Sequence, residues 1–372
     1  MDFSFSEEQD ELRATLRSFF ARYSTEADVR RIAESGEGYD PEVWRRLGQD
    51  LGLQGLAVPE ELGGSGFGYA ELGVVFEEMG RALLCAPYFA TVALAAETLL
   101  RSGDEQAAKD YLPGICAGST VATLALTEEG GTWTEAGVQL AASERDGTWT
   151  LSGAKTYVPD GHLAHLLLVV ARTEGGVSLF AVDAAAQGLA RTALPTLDQT
   201  RGQARLEFFN TPARLIGEEG GAWPAIERAL ATAAILLAAE QVGGAAAALG
   251  TAVEYAKVRE QYGRPIGSYQ GIKHLCADLL TELESARSAA YGGLWALDAD
   301  DDAEVRTAAA LAKVYCSETF TQVACGSIQI HGAIGFTWEH PAHLYFKRAK
   351  SSEVFLGTPA HHRSLLAAEL GI

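Results

Sequence analysis

Three alanine-rich stretches, Ala225 to Ala256, Gly271 to Asp298 and Ala303 to Gln329, fill most of the C-terminal part of the chain. Their length and apolar spacing predict long helices that bury their small side chains against one another, which is the pattern of a helical bundle. A bundle of this kind fixes the architecture from residue 219 to residue 372. The rest of the chain divides in two by texture.

Ahead of the bundle, Ser6 and Gln9 form a capping-box pattern, followed by Leu12, Leu16, Phe19 and Phe20 at helical spacing. Further helical patterns run through Pro41 to Leu51, Tyr69 to Gly80 and Tyr88 to Leu100, punctuated by Pro59 and the glycine run Gly63 to Gly68. That run lacks the lysine and the preceding strand of a phosphate loop, so it reads as a connection. Residues 1–118 are expected to be helical. From 119 to 218 the pattern shortens into strand-like runs: Val121 to Leu126, Val138 to Ala142, Trp149 to Ser152, Leu166 to Val170, Val177 to Val182 and Arg205 to Phe209. These predict a small antiparallel β domain. The order is helices, β domain, bundle, an α+β arrangement.

Charge and motif counts remove several classes of function. A net charge of −20 over 372 residues leaves no basic face for wrapping nucleic acid, although a local basic pocket for a small anionic ligand stays open. The first residues lack a basic region followed by an apolar run, and no later stretch reads as a bilayer span without helical periodicity or polar breaks. A cytoplasmic protein without a membrane partner is the expectation. Five scattered cysteines without a Cys-x-x-Cys pair predict buried apolar thiols rather than disulfides or a zinc site. His162-x-x-His165 and Glu339-His340-x-x-His343 have metal-like spacing without further ligands, so no metal is expected. His331 reads as a packing or backbone-bonding residue.

Two stretches, YAKVREQYGRPIGSYQG (Tyr255 to Gly271) and QIHGAIGFTWEH (Gln329 to His340), resemble the flavin-holding elements of the acyl-CoA dehydrogenase family. With the start MDFSFSEEQDELR and the order of domains, the resemblance covers nearly the whole chain. It implies the family's fold: an N-terminal helical domain, a central antiparallel β domain and a C-terminal four-helix bundle. It also implies FAD, an acyl-CoA substrate, an electron-transfer flavoprotein as electron acceptor, and an oligomer in which a neighbouring subunit completes each flavin site. On the matching positions, Arg259 corresponds to the arginine that pairs with the FAD pyrophosphate, which suits a delocalised, always-charged guanidinium. Tyr262 and Gln270 correspond to positions beside the cofactor, Gln329 and Gly332 to FAD contacts, and Thr358 to the hydroxyl of a Gly-Thr pair. Ala333 replaces a common glycine.

The β-domain half matches less well. Thr127 and Glu128 fit the start of the family's Thr-Glu-Pro-Gly-x-Gly-Ser-Asp loop, but the chain continues Glu129-Gly130-Gly131-Thr132-Trp133. Tyr157 can stack on the flavin where the family commonly has tryptophan. Pro159 offers the ring neither a hydroxyl nor an N–H.

The family removes a proton from the α carbon and a hydride from the β carbon of the thioester, which calls for a positioned carboxylate. Most members carry it in Glu-Gly-Thr; this chain reads Leu356-Gly357-Thr358. The Leu356 backbone N–H can still act as oxyanion donor. Glu240, the lone carboxylate between Ala229 and Thr251, is the candidate relocated base, two helical turns beyond Ala233, where the best-known relocated glutamate would fall. The competing reading makes it a structural carboxylate hydrogen-bonded to a neighbouring helix or paired with an arginine such as Arg287. A moved base suggests a bulky, branched or steroid side-chain acyl group. The resemblance extends to actinobacterial chains of sterol breakdown that pair two unlike subunits. The second expectation is therefore a catalytically silent or supporting subunit of a heterotetramer, which lends Arg259, Gln329 and Gly332 to a partner's FAD. The third is a family member turned to a non-CoA substrate.

Overall fold

The computed structural model describes residues 6–372; Met1–Phe5, which hold part of the N-terminal resemblance, lie outside the described residues. The capping box is present, with Ser6 Oγ accepting from the Gln9 N–H at 3.3 Å and Gln9 Oε1 accepting from the Ser6 N–H at 3.0 Å. It opens α1 (Glu7–Tyr23), followed by α2 (Glu26–Ser35), α3 (Pro41–Gln49) and α4 (Tyr69–Arg81). Asp40 caps α3, and Pro41 sits at its first position, where a missing N–H costs nothing. The stretch expected as one helix from Tyr88 begins as a π-helix, Phe89–Ala96, and tightens into α5 (Glu97–Arg101). Then come α6 (Glu105–Cys116) and seven strands: β1 (Ala122–Ala125), β2 (Ala141–Arg145), β3 (Thr148–Pro159), β4 (Leu166–Thr173), β5 (Gly176–Asp183), β6 (Leu189–Ala193) and β7 (Gln203–Ile216).

The sheet corrects one expectation. It is not wholly antiparallel: β1 lies parallel to β4, with Ala122 opposite Leu166, and β2 touches β4 in parallel at Ala141 and Arg172. The chain leaves β1, makes the β2–β3 hairpin, and returns to lay β4 beside β1, which forces the parallel pair. The remaining pairs are antiparallel, in the order β1-β4-β2-β3-β7-β5, with β6 on β7.

Five helices complete the chain: α7 (Trp223–Val258), α8 (Gln270–Ala299), α9 (Asp302–His331), α10 (Ala342–Val354) and α11 (Pro359–Glu369). The three long ones are the alanine-rich stretches. By length and composition α7 could cross a bilayer, contrary to the reading of the sequence, but 83% of its most apolar window is buried, so its apolarity serves a core.

The chain forms two compact units. One comprises Ile32–Gly68 and Cys85–Ala233. In it the π-helix meets β1 through Thr91 Oγ1, which donates to the Ala122 carbonyl at 3.0 Å and accepts from the Ala122 N–H at 3.2 Å. Leu166 to Ala171, Leu179, Phe180 and Leu206 are buried in its sheet. The other unit comprises residues up to Arg31, Tyr69–Leu84 and Ala234–Ile372. Its core runs along α7, α8 and α9 through Val242, Leu249, Leu279, Leu283, Phe320 and Val323. Gly80 and Gly243 set the crossing of α4 on α7: a Cβ at Gly80 would lie 2.0 Å from the Glu240 carbonyl oxygen, and one at Gly243 1.8 Å from that of Glu77. Only glycine allows this approach of backbones.

Candidate functional site

The helical unit presents the first group of expected residues at its surface. At the end of α7, Arg259 is exposed, and its carbonyl accepts from the Ile266 N–H at 2.7 Å. Between them lies a small hairpin of β8 (Glu260–Gln261) and β9 (Arg264–Pro265), turned by Tyr262 and Gly263. Both turn residues have positive φ, 55° and 77°, as the twist of a two-residue hairpin requires. The turn thrusts Tyr262 out to 94% exposure. Glu254, a possible partner for Arg259, is held by Lys257 at 2.5 Å, and Arg259 has no ion pair among the described residues. Gln270, Gln329 and Gly332 are exposed as well. Gly332, at φ 68°, ends α9 and starts the 3₁₀ turn Gly332–Phe336. His331 packs, as expected: its Nδ1 donates to the Ser327 carbonyl at 2.7 Å, and its ring lies against Tyr255 and His340.

The second element is the turn between α10 and α11. Leu356, 4% exposed, has φ 60°, a left-handed conformation unusual for a leucine, and Gly357 follows at φ 102°. Thr358 Oγ1 accepts from the His361 N–H at 3.2 Å, so the hydroxyl caps α11. Its role in this structure is the cap. Two buried side chains hold the turn. His362 Nε2 donates to the Leu356 carbonyl at 2.9 Å, and burial pushes its pKa down to about 4, so the ring is neutral. Lys313 Nζ donates to Ser317 Oγ at 3.0 Å and to the Ser352 and Glu353 carbonyls at 3.1 Å each, closing the end of α10. Burial draws its pKa down to about 7. The Leu356 N–H donates to no group among the described residues.

Glu240 sits on α7 at 5% exposure, and its Oε1 takes Arg348 Nη1 from α10 at 2.7 Å. Arg348 is equally buried, at 3%. The partner is therefore not Arg287, which bonds to Glu77 together with Arg13 and Tyr291. Beside the pair, Gln241 donates through Nε2 to Ser317 Oγ at 3.0 Å, which links α7 to Lys313 and so to the Leu356 turn. Gln241, Lys313, Ser317, Arg348 and His362 were not singled out in the sequence. Lys313 carries the same signal as Glu240, a lone charge among Ala308 to Cys316.

In the β unit, Thr127 is buried, and its hydroxyl donates to the Thr156 carbonyl at 2.6 Å. Glu128 Oε1 accepts from Lys155 Nζ at 2.7 Å and from the Gln139 and Leu140 N–H groups at 2.8 and 2.9 Å. Burial pulls fully buried Lys155 down to about 8, with Glu128 opposing; burial raises Glu128, and Lys155 together with the Leu140 and Gln139 N–H groups outweighs it to leave that carboxyl below its usual range. The loop is thus clamped to β3. Tyr157 sits where the β3–β7 register slips, has φ 57°, and is 44% exposed; the bulge turns its ring outward. Pro159 pairs with Gln203 at the end of β3.

The two halves fit a flavin unequally. The helical unit offers an exposed guanidinium without an ion pair among the described residues and exposed amides, donors that a diphosphate takes, while the Gly332 N–H is already given to the Ile328 and Gln329 carbonyls at the end of α9. The β unit offers an aromatic ring, while the Thr127 hydroxyl is already donated and Pro159 has no N–H. No group of three His, Cys, Asp or Glu suited to a metal occurs among the described residues, and the five cysteines are free thiols.

Family models for acyl-CoA dehydrogenases match in three successive parts: the N-terminal domain at residues 6–119, the middle domain at 123–210 and the C-terminal domain at 220–371. Acyl-CoA dehydrogenase IpdE2 of Mycobacterium tuberculosis is 36% identical over 98% of this chain and 98% of its own length. Among solved structures, the steroid ACAD variant Tcur3481-Tcur3483 superposes with a TM-score of 0.88 at 32% identity, covering 98% of each chain. A chain of the ChsE4-ChsE5 complex from Mycobacterium tuberculosis gives 0.91 at 29% identity, covering 100% of this chain and 99% of its own. With all three domains matched over nearly its whole length, the chain is a member of the acyl-CoA dehydrogenase family and an oxidoreductase by that membership.

Proposed function

We propose that this chain is one of two unlike chains of an FAD-dependent acyl-CoA dehydrogenase that desaturates a bulky, ring-bearing acyl-CoA. In this reading its helical unit supports a flavin held mainly by the partner chain. One observation carries the proposal: Leu356 stands where the family's base would be, and Glu240, the carboxylate in reserve, has Oε1 engaged by buried Arg348 at 2.7 Å. A base must be aimed at the carbon acid, and the pair with Arg348 fixes this carboxylate by Oε1. The closed Thr127–Glu128 loop supports the same reading, and so does the likeness to chains named as the ChsE4-ChsE5 complex and a steroid ACAD.

When bound, the flavin supplies the acceptor for the β hydride, and the electrons then leave to an electron-transfer flavoprotein. This chain's helical unit would contribute part of the holding. Arg259 would meet the pyrophosphate, Gln329 would donate beside it where Gly332, without a side chain, leaves room for close approach, and Tyr262 and Gln270 would flank it. A second reading, a self-sufficient enzyme with Glu240 as base and Tyr157 and Thr127 around its own flavin, is favoured by the unengaged Leu356 N–H, which suits a thioester oxygen. It requires the Glu240–Arg348 pair to open.

The visible spectrum decides between them. The chain purified alone should be colourless and should become yellow when co-expressed with a family member that carries the glutamate of Glu-Gly-Thr or its relocated equivalent. Ring-bearing acyl-CoA should bleach that complex equally in wild type and Glu240→Gln. A chain that is yellow alone, and that bleaches only while Glu240 is intact, would replace the first reading with the second.

A further inference from the structure

Between α1, the start of α2, the end of α4, α7 and the start of α10 lies a cavity of about 420 Å³. It shares no residue with the Leu356 turn, the Glu240–Arg348 pair or the flavin-facing residues, and the dehydrogenation leaves it without a role. Phe20, Val29, Leu83 and Leu344 wall it, each less than a tenth exposed, with Tyr345 beside them. The walls are apolar; two guanidiniums stand at its edge.

Arg17 donates through Nε to both oxygens of Glu78, at 3.1 and 3.0 Å, and Arg81 reaches the same carboxylate through Nε at 3.5 Å. Arg13 adds a third cation at 3.1 Å. Glu78, 1% exposed, therefore faces three arginines, while neighbouring Glu77 faces Arg13 and Arg287. Four guanidiniums share two buried carboxylates. Glu284 offsets Arg287 from outside, and Glu26, which also lines the cavity, is tied to Arg30 at 2.7 Å. The unbalanced charge emerges on Arg17 and Arg81, 49% and 40% exposed, whose terminal Nη groups have no partner among the described residues.

We infer that this cavity binds an amphipathic monocarboxylate, its carboxylate on Arg17 and Arg81 and its apolar body against Phe20, Val29, Leu83, Leu344 and Tyr345. The planar guanidinium presents paired donors that match a carboxylate. The apolar walls lack the further donors a polyphosphate needs. The volume lies near the low end of the roughly 300–1,000 Å³ common for small-molecule sites, room for a body of about ten carbons and too little for coenzyme A. The site does not depend on which residue is the base.

Calorimetric titration of the chain with decanoate tests this, with decanol as the uncharged match and two variants, Arg17→Gln with Arg81→Gln, and Thr251→Trp. Thr251 is an exposed residue of α7 that lines the cavity, so tryptophan there occupies its space while both arginines are retained. Decanoate should bind saturably at one per chain, at least tenfold more weakly in the double arginine variant, and not measurably in Thr251→Trp. Decanol should bind at least tenfold more weakly than decanoate. Absence of saturable decanoate binding, binding unchanged by Thr251→Trp, or decanol as tight as decanoate would each overturn the assignment. If loss of the two arginines unfolds the chain, Thr251→Trp and decanol still decide.

Discussion

Removing the charge of Glu240 while keeping its shape isolates the buried pair. In Glu240→Gln, Arg348 stays 3% exposed with its carboxylate partner gone. Breaking one side of a buried pair costs about 3–5 kcal/mol, because the remaining guanidinium loses the carboxylate that balances its charge. An unfolding entropy of about 2.1 cal/mol/K per residue gives about 0.8 kcal/mol/K for 372 residues, so the loss appears as a fall in Tm of about 4–6 °C. Replacing both partners with apolar residues, Glu240→Leu with Arg348→Met, should recover most of that fall, because desolvating the pair offsets much of its attraction. Scanning calorimetry of wild type, both single variants and the double variant completes the cycle. A Glu240→Gln chain within 1 °C of wild type would refute the reasoning, since Glu240 would then be free of a structural duty and available as a base.

Three further outcomes follow from the turn and the loop. His362 has a folded pKa near 4 against an ordinary 6.5, so the unfolded chain takes up the proton first; stability is intact above pH 6.5 and falls by up to about 3 kcal/mol as pH drops toward 4. Urea midpoints across that range should show the slope, and His362→Gln should flatten it. Leu356→Gly should be more stable than Leu356→Ala by about 1 kcal/mol, the reverse of the usual order, because alanine keeps the cost of φ 60° while losing the same packing. The reverse ranking in a denaturant series would show that the turn relaxes. Lys155→Met should cost about 2 kcal/mol, discounted for the partial exposure of Glu128, and should raise proteolytic cleavage between Glu128 and Gln139. Unchanged cleavage would show that the loop does not need its clamp.

The parts of this chain that sequence made legible are those governed by neighbours a few residues apart. Alanine spacing marked α7, α8 and α9, and Ser6 with Gln9 marked the start of α1, because helix periodicity and capping are local. β6 escaped notice because Leu189–Ala193 is mostly exposed, without the alternation a half-buried strand shows. The parallel β1–β4 pair depends on residues more than forty positions apart, on which local pattern is silent. The hairpin at Tyr262–Gly263 lacks the Asn-Gly signature, since tyrosine seldom takes the first position of such a turn. The same division runs through the site. Glu240 stood out as a lone carboxylate in an apolar helix, but its partner Arg348 lies 108 residues on and only folding brings them together. What a lone buried charge announces is that something must answer it; Lys313, answered by one hydroxyl and two helix-end carbonyls with the Glu353 carboxylate adding its charge, shows that backbone can supply much of the answer. A charge in an apolar helix therefore locates an obligation, and whether that obligation is met by the fold or left open for a substrate is decided by the geometry around it. At Glu240 the fold supplies an arginine, while at Leu356 it leaves an N–H without a partner among the described residues.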